Sequence, residues 1–74
     1  QFDFIFADPP YELKGLETIP SLIFERQLLK EDGLFVLEHG KKNHFEDNPH
    51  FVEHRSYGSV NFSIFRATVK EDER

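Results

Sequence analysis

The chain has 74 residues and a formal net charge of −5, from 14 acidic residues against 9 Lys or Arg, with no cysteine and no methionine. The acidic balance argues against broad, sequence-independent nucleic-acid binding, which needs a basic footprint, but leaves room for a local basic rim. Without cysteine there are no disulfides and no thiolate metal sites, which fits a reducing, cytoplasmic setting. No run of residues is apolar enough to suggest a membrane span or a signal peptide, so no membrane is expected as a partner. A chain of this size is one small domain or a piece of one, and buries only about 60% of its unfolded surface. The lack of any Met and the immediate start in an apolar run suggest a fragment of a longer protein.

Residues 2–7, Phe-Asp-Phe-Ile-Phe-Ala, read as a buried strand. Phe2, Phe4 and Phe6 form one face and Ile5 and Ala7 the other, so both faces are expected to be covered. Pro9 and Pro10 lack N–H groups and force the chain out of the sheet. Residues 16–28 read as a helix with Leu16, Ile19, Leu22 and Ile23 on one face. Pro20 is tolerated only in its first turn, where N–H groups have no internal partner. Residues 30–33 are the turn out, and 34–38 a second buried strand, parallel to the first. Residues 40–49 are polar and read as a loop or a single short helical turn. Residues 51–57 and 60–69 are rich in β-formers and meet at Gly58-Ser59, the pattern of an antiparallel hairpin. Residues 70–74 read as a charged tail beyond a domain spanning 1–69. The expected fold class is therefore α/β: a β-α-β unit followed by an antiparallel β-hairpin.

The chemistry concentrates in Asp8-Pro9-Pro10-Tyr11, just past the first strand, where open α/β sheets bind ligands. A residue before proline is held extended, so this segment is stiff. Tyr11 offers a stacking face, worth roughly 1–3 kcal/mol per base. The Asp8 carboxylate and the Pro9 carbonyl can each accept an N–H of an exocyclic amine. Two fixed acceptors orient the amine and favour the positive charge that develops on its nitrogen during methylation. The bland reading is a turn, since Asp and Pro are ordinary turn residues.

Asp8-Pro9-Pro10-Tyr11 after an apolar strand resembles the (Asp/Asn)-Pro-Pro-(Tyr/Phe/Trp) motif of S-adenosylmethionine-dependent amino-methyltransferases. Gly33-Leu34-Phe35-Val36-Leu37-Glu38-His39 and Arg55-Ser56-Tyr57-Gly58-Ser59-Val60 extend the likeness. Together they resemble the C-terminal half of bacterial small-subunit ribosomal RNA guanine-N2 methyltransferases, over roughly residues 2–67. The resemblance implies the second half of a Rossmann-like class I methyltransferase sheet, with Asp8, Pro9, Pro10 and Tyr11 as catalytic residues. It implies S-adenosylmethionine as cofactor, bound mainly by a Gly-rich turn and a ribose acid outside this chain. The implied partner is ribosomal RNA or the small ribosomal subunit.

Around the motif, Glu38 and His39 end the second strand beside Asp8. They are positioned to line the base pocket, to act on a proton, or to hold the strand end by hydrogen bonds; His39 is counted among the substrate-facing residues. Lys41, Lys42 and Arg55 are candidates for RNA phosphates, or are solvated loop charges. His44, His50 and His54 lack ligand spacing, so no metal site is expected. A DNA adenine-N6 or cytosine-N4 methyltransferase would use the same four residues. A third reading is a non-catalytic fragment that self-associates, most simply as a homodimer through the Phe2–Ala7 edge.

Overall fold

The computed structural model describes residues 1–68; the expected tail at 70–74 lies outside them. Two parallel strands set the frame: β1 (Phe2–Ala7) runs beside β2 (Leu29–His39), with Phe4 opposite Leu34 and Ala7 opposite Leu37. Between them the chain makes a single 3-10 turn over Leu16–Thr18 and then α1 (Ile19–Glu25). Pro20 sits in the first turn of α1, where its missing N–H is harmless.

The helix is shorter than the pattern suggested. Gln27 takes a left-handed backbone (φ 53°), the Leu28 N–H donates to the Ile23 carbonyl and the Gln27 N–H to that of Phe24. Those two bonds form a Schellman cap that satisfies the last carbonyls and ends the helix. The expected apolar face also shifts. Ile19, Ile23 and Phe24 pack on the core, whereas Leu22 is exposed. Residues 19, 20, 23 and 24 share one side of a 3.6-residue helix, and Leu22 lies on the other.

β2 begins earlier than the expected 34, because Leu29 already pairs with Phe2. Between that pair and Phe4–Leu34, β1 advances two residues while β2 advances five. The expected turn at 30–33 is thus an out-looped bulge within the strand, with Asp32 left-handed at φ 71°. Gly33 closes the bulge, buried against backbone. A Cβ there would lie 2.9 Å from the Lys30 carbonyl oxygen and 3.2 Å from that of Asp3.

β3 (Phe51–Tyr57) and β4 (Val60–Arg66) form the expected antiparallel hairpin, and β4 stops short of the expected 69. Gly58 takes the positive φ (63°) that such a two-residue loop reserves for glycine. The sheet order is β1-β2-β4-β3, so β4 rather than β3 lies against β2. Composition fits the choice: β4 carries Phe62 and Ile64 on one face and Phe65 on the other, whereas β3 carries Glu53, His54, Arg55 and Ser56 and suits a solvent-facing edge.

One face of this sheet is covered. Phe35 and Leu37 of β2 and Phe65 of β4 are buried beneath Leu16, Ile19, Ile23, Phe24 and Phe45. Phe65 is the hub, with ring centroids 5.4 Å from Phe35, 5.7 Å from Phe45, 6.0 Å from Phe51 and 6.1 Å from Phe24. Phe45 comes from the segment expected to be polar. The opposite face departs from expectation: Phe2, Phe4 and Phe6 are 59%, 55% and 50% exposed. Every helical segment among the described residues packs on the Ile5/Ala7 side, so one face of β1 stays open.

Gly33→Ala tests the bulge. The new methyl meets two main-chain oxygens as well as Cδ2 of Leu29, and because the oxygens cannot yield the expected loss is about 1–3 kcal/mol in urea denaturation.

Candidate active site

The parallel pairing sets the two strand ends side by side. Past Ala7 the chain leaves the sheet through Asp8, Pro9 and Pro10, while β2 continues two residues beyond Leu37 to Glu38 and His39. The Leu13 N–H donates to the Pro10 carbonyl at 3.0 Å, closing a turn with Tyr11 and Glu12 at its corners. Asp8 is exposed and its carboxylate makes no hydrogen bond among the described residues; the Pro9 carbonyl accepts none of the loop's backbone bonds. Neither acceptor is engaged within the described residues.

The Tyr11 hydroxyl reaches across to β2 and donates to Glu38 Oε2 at 2.7 Å. A Cβ added at Gly40 would sit 3.4 Å from Cδ2 of the Tyr11 ring and 3.7 Å from Cγ, so the glycine lies against that side of the ring. The ring is 41% exposed and keeps a free surface. The bond to Glu38 holds the phenol above its ordinary pKa; partial burial and the negative charges of Glu38 and Asp8 add to the effect.

Beside Tyr11 an open cleft of about 630 Å³ is lined by Lys14, Glu17, Gly40, Lys41, Lys42 and neighbouring residues. Asn43 Nδ2 donates to Glu17 Oε2 at 2.8 Å, joining the loop after β2 to the turn before α1. Lys41 and Lys42 are exposed and line the cleft. Lys14 joins them without having been singled out; its place three residues past Tyr11, in the same loop, was the available signal. Arg55 stands apart, on β3 opposite Phe62, where it pairs with Glu53 at 2.7 Å.

His39 lies elsewhere than a substrate-facing residue would. Successive strand residues point to opposite faces, so Glu38 faces Tyr11 and His39 turns into the covered side, 1% exposed. Its Nδ1 is 2.9 Å from the Gly40 carbonyl and its Nε2 2.7 Å from Ser63 Oγ. A carbonyl only accepts, so Nδ1 carries the proton and Nε2 accepts from the Ser63 hydroxyl. Beside it, Asn61 Oδ1 accepts from Ser56 Oγ and from His54 Nε2, each at 2.9 Å. Burial lowers the His39 pKa, partly opposed by the bond to the Gly40 carbonyl.

His50 stacks on Phe24 at 3.8 Å and His44 is exposed beside Glu46. Among the described residues no group of three His, Asp or Glu side chains could hold a metal ion, and no helix is long and apolar enough to cross a membrane. A nucleotide cofactor's glycine cradle is likewise not formed by them. Gly15 and Gly58 have positive φ but lie in separate turns, while Gly33 and Gly40 sit against the chain's own backbone and Tyr11.

The family model described as "Conserved hypothetical protein 95" matches residues 1–66. A Bacillus subtilis (strain 168) protein named "Putative rRNA methyltransferase YlbH" is 47% identical over 38 residues, covering 51% of this chain and 21% of that protein. The crystal structure of "putative methylase HI0767" from Haemophilus influenzae superposes with a TM-score of 0.72 at 25% identity, covering 89% of this chain and 42% of that one. "Putative methyltransferase yhhF" from Escherichia coli shares the fold, with a TM-score of 0.68 at 19% identity, over 92% of this chain and 38% of its own. The chain thus spans less than half the length of these relatives, and its sheet is a portion of a Rossmann-like methyltransferase fold.

The buried imidazole makes stability pH-dependent. The folded chain resists protonating His39, while the unfolded imidazole takes up a proton near pH 6.5. His39's contribution is therefore full above about pH 6.5 and falls as pH drops through and below that value. Urea midpoints at about pH 7.5 and about pH 5.5 should differ more in the wild type than in His39→Gln.

Proposed function

This chain belongs to the family described as conserved hypothetical protein 95, and on that premise we propose that it is the base-handling portion of an S-adenosylmethionine-dependent methyltransferase. The substrate in this reading is the exocyclic N2 amine of a guanine in small-subunit ribosomal RNA, modified in the cytoplasm. The observation that carries it is the pair of unengaged acceptors, the Asp8 carboxylate and the Pro9 carbonyl, beside an anchored and partly open Tyr11 ring. The name of the Bacillus relative supports RNA over the DNA adenine-N6 or cytosine-N4 alternative.

Chemically, the base leaves its stack and Tyr11 replaces the lost stacking partner. Asp8 and the Pro9 carbonyl each accept one amine N–H, so the nitrogen lone pair points in a fixed direction. Both acceptors interact more strongly as positive charge grows on that nitrogen, and so favour the transition state over the ground state. S-adenosylmethionine supplies the electrophilic methyl group. In this reading its glycine cradle and ribose-binding acid belong to the rest of the parent protein, and no residue here is assigned to it. Lys14, Lys41 and Lys42 offer the RNA backbone local positive charge at the cleft, against the overall acidity. His39 acts from the covered side, fixing Gly40 and the end of β2 rather than touching the base.

In the full-length enzyme, Tyr11→Ala should lower methyl transfer roughly 5- to 150-fold, the range that corresponds to one lost base stack. Asp8→Ala should lower it by at least as much, with cofactor affinity nearly unchanged in both. Methylation assays with wild-type rates in both variants would remove the assignment.

For the isolated chain, we further propose association through β1. It is an edge strand of the described sheet, its phenylalanines are half exposed, and its single charge, Asp3, is paired with Lys30 at 3.6 Å. An apolar, weakly guarded edge invites antiparallel pairing with a second copy. Light scattering at high micromolar concentration should report a dimer or larger species, and a strict monomer would count against the idea.

A further inference from the structure

We propose that Glu38 is a positioning residue for the site: through its hydrogen bond it fixes the plane of the Tyr11 ring, with Gly40 as the surface on which the ring rests. The inference rests on the functional reading above, in which Tyr11 stacks the target base.

Three observations carry it. The Tyr11 hydroxyl donates to Glu38 Oε2 at 2.7 Å, a short bond to an ionised acceptor of the stronger kind. Glu38 is the last β2 residue on the open face, and the Ala7–Leu37 register brings the end of β2 beside the strand from which the loop departs. Gly40 approaches the ring closely enough that a side chain would contact it. Without these contacts Tyr11 would be a half-exposed side chain at the corner of a surface turn, free to rotate. The base would then have to order the ring as it bound, which weakens binding and leaves the amine misaligned with Asp8. The raised phenol pKa is consistent with the same bond.

Glu38 differs from a proton-transfer group in what it requires. It needs only to accept a hydrogen bond, and it acts only when Tyr11 has a hydroxyl. The test uses the full-length enzyme and the variants Glu38→Ala, Glu38→Gln, Tyr11→Phe and the double variant Tyr11→Phe/Glu38→Ala. Glu38→Ala and Tyr11→Phe should each lower kcat/KM roughly tenfold, and the double variant should be no worse than either, since both remove one bond. Glu38→Gln keeps a carbonyl acceptor and should recover most of the activity. A loss on adding Glu38→Ala to Tyr11→Phe, or Glu38→Gln as impaired as Glu38→Ala, would overturn the proposal by giving Glu38 a role of its own.

A second readout does not depend on methyl transfer. With ¹³Cζ-labelled tyrosine, the signal lost in Tyr11→Phe identifies Tyr11, and its ionisation midpoint should fall in Glu38→Ala. An unchanged midpoint in a folded variant would overturn the pairing itself. If the wild-type enzyme methylates no RNA while the midpoint still falls, the functional reading fails and the ring-fixing contact stands.

Discussion

The parallel pairing of β1 with β2 is the constraint on which the site depends. Parallel strands finish at the same edge of a sheet, so the two loops that follow them start side by side although 30 residues separate Ala7 from Leu37. That register brings the Tyr11 hydroxyl to Glu38 and the Tyr11 ring to Gly40. A slip of one residue would invert the faces of β2, turning Glu38 inward and His39 toward Tyr11. The bulge at 30–33 lets Leu29 pair with Phe2 while keeping Phe4 opposite Leu34, and Gly33 is the residue whose size permits it.

Aromatic packing covers one side of this sheet. Phe65 gathers Phe24, Phe35, Phe45 and Phe51 around it, drawing together the helix, two other strands and the loop after β2. Phe45 also touches the edge of the His39 ring, with centroids 5.0 Å apart. The same cluster that closes the core therefore steadies the imidazole whose Nδ1–H holds the Gly40 carbonyl. Core and site are coupled through two consecutive residues: His39 is tied to the buried side, and Gly40 backs the aromatic ring on the outside.

The buried polar side chains at this end are engaged. His39 with Ser63, and Asn61 with Ser56 and His54, satisfy one another, and among the described residues no buried side-chain nitrogen or oxygen lacks a partner. Against that background the unengaged Asp8 carboxylate and Pro9 carbonyl stand out. Their freedom follows from local chemistry: two successive prolines offer no N–H to close a turn around them, and they hold the chain extended away from the sheet.

What the sequence by itself determined was local. Strand β1, the hairpin with its Gly58-Ser59 loop, the confinement of Pro20 to a helix start and the exit of the chain from the sheet at Asp8-Pro9-Pro10-Tyr11 all follow from restrictions that act within a few residues. The family likeness was legible for the same reason, since it is carried by short stretches of adjacent residues. Tertiary structure decided everything that depends on which face meets which neighbour. It placed β4 rather than β3 against β2, left Phe2, Phe4 and Phe6 open, and buried Phe45 from a loop that looks polar. It also separated Glu38 from His39, which the sequence presents as a pair. Strand alternation sends neighbouring side chains to opposite faces, and only the packed helix decides which face is inside. Lys14 reaches the cleft within the loop that carries Tyr11, a placement with a local signal; Arg55 is set apart by the sheet order, which has none, because it arises from strand pairing between residues distant in the chain.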